Sequence, residues 1–428
     1  MKAMKFEYAF TVDTSSIKYG PGVTFEVGYE MKRLGTKQVM LVTDSNLVNS
    51  NPVSVALKGL RSEGIDATTY DRVRIEPTDE SLKEAIQFAI KGCFDGYVAV
   101  GGGSTIDTAK VANLYATYPA DFLTYVNSPI GRGQPVPGEL KPLVAVPTTA
   151  GTGSETTPVA IFDFVKMHAK TGIAHRALRP MIGIIDPNNT STLPRMVAAC
   201  TGFDVLSHAL ESLTALPYNQ RPAPASPNLR STYQGSNPVS DVWAARAIEM
   251  VSENLTRVVE NPSDDNARAQ MLLAATFAGI GFGNAGVHLP HGMSYAVSGT
   301  VRDFVPEGYP QDRPIIPHGM SVILNTPAVL RFTAVANPQR HLYAARLMGA
   351  DTSTATPEDA GEIVASAVVD LMRKTGMPNG LSAVGYSPDD IRQLVAGTLP
   401  QQRITKLSPR TFSEADLSKL FLDSMTCW

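Results

Sequence analysis

DGYVAVGGGSTIDTAKVANLYAT, residues 95–117, decides the fold. Its first half is a β-rich apolar run ending in three glycines, Gly101, Gly102 and Gly103, and its second half carries helical periodicity. Ser104 stands where it can cap that helix, with Asp107 three residues on as a variant capping box. Backbone N–H groups at a helix start, with the helix dipole behind them, favour an anion such as a pyrophosphate. The stretch is neither a Walker loop nor GxGxxG, so a glycine turn needed only for close packing is the competing reading.

Outward from this unit, the strand and helix scheme repeats. QVMLVTD (38–44) is an apolar run closed by Asp44, and SVALKGLRSEG (54–64) follows as a helix with a glycine stop. KPLVAVPTTAGTGSETT (141–157) reads as a buried strand running into a hydroxyl-rich loop, and MIGIIDP (181–187) as a last strand stopped by Pro187. From about Pro194 the pattern changes to long helices over 196–215, 240–260 and 264–282, with no convincing strand afterwards. The expectation is an α/β dinucleotide-binding domain over 1–190 and an all-helical metal and substrate domain over 191–428, with a cleft between them. Two proline-rich stretches, 218–238 and 301–317, interrupt the helical half, either as surface insertions or as loops lining a site.

Asp44, at the end of its strand, can accept hydrogen bonds from both hydroxyls of an adenine ribose and would repel a 2'-phosphate, which favours NAD(H) over NADP(H). In the usual dinucleotide fold the glycines precede the acid, whereas here they follow it, so Asp44 is either a turn residue or part of a differently connected sheet. Thr148, Thr149, Thr152 and Ser154 offer hydroxyls and close backbone approach to a ribose or nicotinamide, or form a plain hydroxyl-rich turn.

Composition narrows the function. With 37 Lys and Arg against 40 Asp and Glu, the net charge of -3 argues against nucleic acid or an anionic membrane surface as partner. No apolar run approaches the roughly 20 residues of a membrane span. Glu7 and Asp13 interrupt the apolar start before a signal-peptide core can form. Three widely spaced cysteines suit a reducing cytoplasm, the expected location. Charged residues are 18% of the chain, against about 25% in an average soluble protein, which points to surface buried in a homo-oligomer.

Asp204 and His208 lie four apart on one helical face, a pair that alone is more often a surface hydrogen bond. Four of the seven histidines, His208, His288, His291 and His318, fall in the helical half around otherwise apolar sequence, and two separate PHGMS segments each present a histidine before a glycine. One carboxylate with three imidazoles suits a divalent first-row metal such as Fe(II) or Zn(II) acting as a Lewis acid.

GGGSTIDTAK, PTTAGTGSETT, FDVLSHALES, PHGMSY and PHGMS, in that order and over nearly the whole chain, resemble the iron-containing, group III alcohol dehydrogenases. The resemblance implies a dehydroquinate-synthase-like fold, Asp204, His208, His291 and His318 as metal ligands, and Lys170 near the nicotinamide ribose. The family often has a histidine four residues after the third ligand; here that position is Tyr295, leaving His288 or Tyr295 to relay a proton. Within the family, YQGSNPVSDVWA and GNAGVHLPHGMSYAVSG resemble the hydroxyacid-oxoacid transhydrogenase branch. That implies oxidation of 4-hydroxybutyrate to succinate semialdehyde coupled to reduction of 2-oxoglutarate, with the nicotinamide as retained hydride carrier. An ordinary NAD-dependent dehydrogenase acting on a small alcohol or hydroxyacid is the alternative, and a dehydroquinate-synthase-type lyase lacks its basic phosphate cluster. A hydroxyacid also needs a cation for its carboxylate. Among Arg221, Arg230, Arg302 and Arg313, the last two lie between two implied ligands, His291 and His318, and are the favoured anchors.

Overall fold

The computed structural model describes residues 6–167 and 169–428, and the chain divides into two compact units. One is Thr14–Thr192; the other is Leu193–Trp428 together with the N-terminal stretch up to Asp13. Sequence division at 190 assigns that stretch to the nucleotide domain, but its polar groups bind it to the helical unit. The Asp13 and Thr11 amides donate to Asn284 Oδ1 and Gln234 Oε1, each at 2.9 Å, and Arg230 donates to the buried Glu7 carboxylate.

In the α/β unit, β1 (Ser16–Tyr19), β2 (Gln38–Asp44), β3 (Asp66–Val73), β4 (Gly96–Gly101), β5 (Leu143–Pro147) and β8 (Ile182–Ile185) form one sheet. Its order is β1-β8-β5-β4-β2-β3 and every pairing is parallel. Parallel strands need crossovers, and helices cover both faces. Alternate residues show it: Val39, Leu41, Val98, Val100, Val144 and Val146 pack with Val53, Ala56 and Leu60 of α2 (Asn51–Ser62), behind α1 (Val27–Arg33). Met40, Val42, Tyr97, Ala99 and Ala145 face the other way, onto α3 (Asp79–Gly92) and Ile106 and Ala109 of α4 (Gly103–Thr117). Between β5 and β8 the chain adds an antiparallel hairpin, β6 (Val159–Phe164) and β7 (Ala169–Ala174), which sequence periodicity does not reveal.

The helical unit is built on α5 (Arg195–Thr214), α6 (Pro238–Glu260), α7 (Asp265–Ala285), α8 (Leu289–Gly299) and α9 (His318–Ile323), with further helices after them. Apart from isolated bridges, no strand occurs among its described residues. No single described helix is long and apolar enough to cross a membrane. α7 and α8 pass that test only as a pair bent by 105°, and both are largely buried. All three cysteines are free.

Candidate metal and nucleotide sites

In the helical unit, Asp204 and His208 project from one face of α5. The two PHGMS segments fold into like local structures: in each, the serine Oγ donates to the histidine carbonyl at 2.7 Å. The glycine after each histidine is there for close approach. A Cβ on Gly319 would lie 1.9 Å from the Cys200 carbonyl oxygen, so α9 can press onto α5 and bring His318 to Asp204. A Cβ on Gly292 would lie 2.4 Å from Thr405 Cγ2.

The result is convergence. Nε2 of His208, of His291 and of His318 lie 3.6, 3.6 and 3.7 Å from Asp204 Oδ1, and the four ligand atoms all fall within 4.8 Å of one another. For metal–ligand bonds of about 2.1 Å, tetrahedral neighbours lie about 3.4 Å apart, so these separations fit one small ion. Asp204 Oδ1 and His291 Nε2 are buried without a hydrogen-bond partner, as atoms reserved for coordination must be. Burial alone would raise the Asp204 pKa, but the facing imidazoles hold its carboxyl well below the usual range. Burial pushes the His208 imidazole down to about 3. It acts on His291 in the same sense, but the Glu211 and Asp204 carboxylates reverse it and raise that imidazole to about 9.

Glu211 escaped the sequence reading, although it continues the Asp204 and His208 stripe three residues further along α5. Its Oε1 lies 2.5 Å from His291 Nδ1, and Oε2 accepts from the His288 amide at 2.6 Å. Such a carboxylate fixes which imidazole nitrogen faces the metal. Phe282 of α7 stacks on the His208 ring, centroids 3.8 Å apart.

The relay candidates separate. Tyr295, one turn after His291, is buried with its ring 6.2 Å from that of His318. His288 is fully buried and its Nε2 pairs with the Thr214 hydroxyl at 3.0 Å, which in turn donates to the Leu210 carbonyl. That chain of bonds ends in helix backbone, which suits packing better than proton relay. The anchor expectation also changes. Arg302 makes two bonds to the Asp390 carboxylate, at 2.9 and 2.8 Å, plus one to the Gly385 carbonyl, tying down the loop over 300–317. Arg313, half-buried in that loop, is likewise engaged.

In the α/β unit, Gly101, Gly102 and Gly103 join β4 to α4. The N-cap is Gly102, with no side-chain cap, so the capping box expected of Ser104 and Asp107 does not form. The helix begins two residues earlier than a Ser104 cap implies, with no side chain bonded over its first amides. A Cβ on Gly101 would lie 2.4 Å from Thr105 Oγ1, and one on Gly103 2.4 Å from Thr152 Cγ2, so neither position tolerates a side chain. Thr149 lies close to Gly102, and the Thr148 amide donates to the Gly101 carbonyl at 3.1 Å.

The polar side chains beside the glycine loop bind one another. Asp107 accepts from Ser154 Oγ at 2.5 Å and the Ile161 amide at 2.9 Å, and fully buried Lys110 donates to Ser154 Oγ and the Val159 carbonyl at 2.6 and 2.7 Å. This network shapes the loop holding Thr148 to Ser154. Asp44 Oδ1 accepts from the Asn46 and Leu47 amides, closing the turn after β2 with one oxygen only. Lys170 is buried between Glu76 Oε2 at 2.5 Å and Asp163 Oδ1 at 3.1 Å. Burial would lower its pKa, but these carboxylates keep the ammonium above its usual range. Glu76, at φ 54°, donates its amide to Ser104 Oγ beside the glycine loop.

A family model described as iron-containing alcohol dehydrogenase matches residues 14–187, and one for the C-terminal part of the Fe-containing alcohol dehydrogenase family matches 232–425. Hydroxyacid-oxoacid transhydrogenase, mitochondrial, of Bos taurus and of Homo sapiens are each 55% identical over 421 residues, 98% of this chain and 90% of theirs. Among solved structures, 1,3-propanediol oxidoreductase superposes with a TM-score of 0.85 at 27% identity, covering 97% of this chain and 100% of that one. Sulfoacetaldehyde reductase from Bifidobacterium kashiwanohense, in complex with NAD+, gives 0.78 at 25% identity, covering 98% of each chain. The cytoplasmic expectation is overturned, because the relatives matching nearly all of this chain are mitochondrial proteins. Cysteine usage reports redox poise and does not discriminate between reducing compartments.

Proposed function

The chain belongs to the iron-containing alcohol dehydrogenase family and is an oxidoreductase, and from that premise we propose that it is a hydroxyacid-oxoacid transhydrogenase. The hydroxyacid is 4-hydroxybutyrate, the oxoacid 2-oxoglutarate, and the hydride passes through NAD(H) held between the two half-reactions. The observation that carries hydride transfer at a metal is the convergence of three imidazole Nε2 atoms on one buried Asp204 oxygen.

Asp204, His208, His291 and His318 would hold the ion, Fe(II) by the family's chemistry, with Zn(II) compatible with the same donor set. Such an ion supplies Lewis acidity to the reacting oxygen, and nicotinamide accepts and returns the hydride. Glu211 orients His291, while Tyr295 is the candidate to hold or pass the hydroxyl proton near His318. The uncapped start of α4 receives pyrophosphate, and Asp44 keeps one carboxylate oxygen outside its turn for the ribose. Lys170, held by Glu76 and Asp163, is the family's residue near the nicotinamide ribose.

The test is incubation of purified, metal-loaded protein with 4-hydroxybutyrate and 2-oxoglutarate, with and without added NAD. Turnover without addition is expected. Turnover that requires NAD would make the protein an ordinary dehydrogenase, and none under either condition would refute the substrate assignment.

A further inference from the structure

Three of the four arginines that the sequence offers as anchors are engaged: Arg302 by Asp390 at 2.8 Å, Arg230 by Glu7 at 2.9 and 3.1 Å, and Arg313 in its loop. The fourth, Arg221, belongs to a set of cations that is not. Among the described residues, Arg221, Arg403 and Lys406 form no ion pair, although Arg221 and Arg403 both lie near enough to act on Lys406. Surrounding protein pushes the Lys406 pKa down, and Arg221 and Arg403 push it further. Glu7 faces Arg221 but is bound through both oxygens to Arg230. Arg403 lies over the Tyr233 ring, 5.1 Å from its centroid, and its Nη1 is buried with no hydrogen-bond partner. A buried guanidinium donor without an acceptor is uncommon enough to require an explanation.

Two chains of packing within the helical unit link the cluster to the metal ligands. Tyr233 packs edge-on to Phe282 at 6.4 Å, and Phe282 stacks on His208. Arg403 lies in a short helix, Gln402–Thr405, whose Thr405 fills the space left by Gly292, the residue after His291. The Leu216 amide, donating to the Leu407 carbonyl at 2.8 Å, ties the segment carrying Arg221 to the same place.

We propose that Arg403, assisted by Lys406 and Arg221, binds the carboxylate common to the hydroxyacid and oxoacid substrates. The inference rests on the transhydrogenase reading for its substrates. 4-Hydroxybutyrate and 2-oxoglutarate each carry a carboxylate three carbon–carbon bonds from the reacting carbon. One anchor at a fixed distance from the metal therefore serves both half-reactions. The guanidinium supplies paired donors in a fixed plane, and the ammonium adds charge without directional demand.

Arg403→Met, Arg403→Lys and Lys406→Met separate the outcomes. The ratio of kcat/KM for 4-hydroxybutyrate to that for 1-butanol should fall about 30-fold or more in Arg403→Met and about 5-fold in Lys406→Met, with Arg403→Lys between them. Glutarate, which cannot be oxidised at a hydroxyl, should bind the metal-loaded wild type by calorimetry and bind Arg403→Met at least tenfold more weakly. An unchanged ratio with unchanged glutarate affinity in all three variants would overturn the proposal. So would a raised Kd for NADH with the ratio intact, which assigns the cluster to the nucleotide. If Arg403→Met fails to fold, Lys406→Met, altering an exposed side chain, still decides between these results. Wild-type inactivity on both acids, with glutarate binding that still depends on Arg403, would remove the transhydrogenase reading and keep the carboxylate site.

Discussion

The metal-site cluster and the glycine loop treat their polar groups in opposite ways. In the helical unit, Asp204 Oδ1 and His291 Nε2 are buried and left without hydrogen bonds. In the α/β unit, Asp107, Ser154 and Lys110 bond to one another around a glycine turn. The first arrangement suits an ion; in the second the side chains set the loop, and a ligand there would be left to backbone N–H groups. Unpartnered buried donors and acceptors cost stability unless a ligand satisfies them, so they mark a site more sharply than a list of polar residues does.

The largest expected break in this comparison is His318→Ala or His291→Ala. Either should empty the metal half-site and lower kcat/KM by about a thousandfold or more, because Lewis acidity is worth several kcal/mol. NADH affinity should persist. Metal analysis checks it, and full occupancy in His318→Ala would make the ligand set wrong.

Next is Glu211→Gln. An amide cannot accept from both His291 Nδ1 and the His288 amide, so metal affinity should fall about 10–100-fold in a chelator competition.

Gly103→Val sharpens the other side. Its side chain would meet Thr152, and NADH affinity should fall about tenfold or more while metal content stays at the wild-type level. Parallel loss of metal would show that the half-sites are not independent.

The smallest effect concerns the N-terminal stretch. Side-chain bonding to Arg230 holds the Glu7 carboxyl at about 2, below its ordinary 4.5. A depressed carboxylate pKa stabilises the fold fully above 4.5 and loses that contribution as pH falls towards 2. After allowance for solvent screening it amounts to about 1–2 kcal/mol. Glu7→Gln should therefore melt below wild type at pH 7, with the gap narrowing as the pH is lowered from 5 to 3. A gap constant with pH would assign the loss to packing.

The α/β scheme was legible because β2, β4 and β5 are short apolar runs closed by turn residues, and the glycines mark where α4 begins. Asp204, His208, His291 and His318 were legible because histidine is scarce and the PHGMS segment recurs. Glu211 was legible in principle as the third polar residue on one stripe of α5, yet spacing alone does not say that its carboxylate meets an imidazole 80 residues away.

Sequence by itself determined the main strand and helix scheme, and Asp204 with the four histidines from which the family resemblance picks a ligand set, since these rest on local periodicity, on rare residue types and on recurring motifs. Tertiary structure decided which polar groups remain available. It engaged Arg302 with Asp390, turned His288 to Thr214, joined the N-terminal stretch to the helical unit, and left Arg403 with an unmatched donor. A hydrogen bond or ion pair depends on atoms brought within about 3 Å, and chain separation carries no information at that scale.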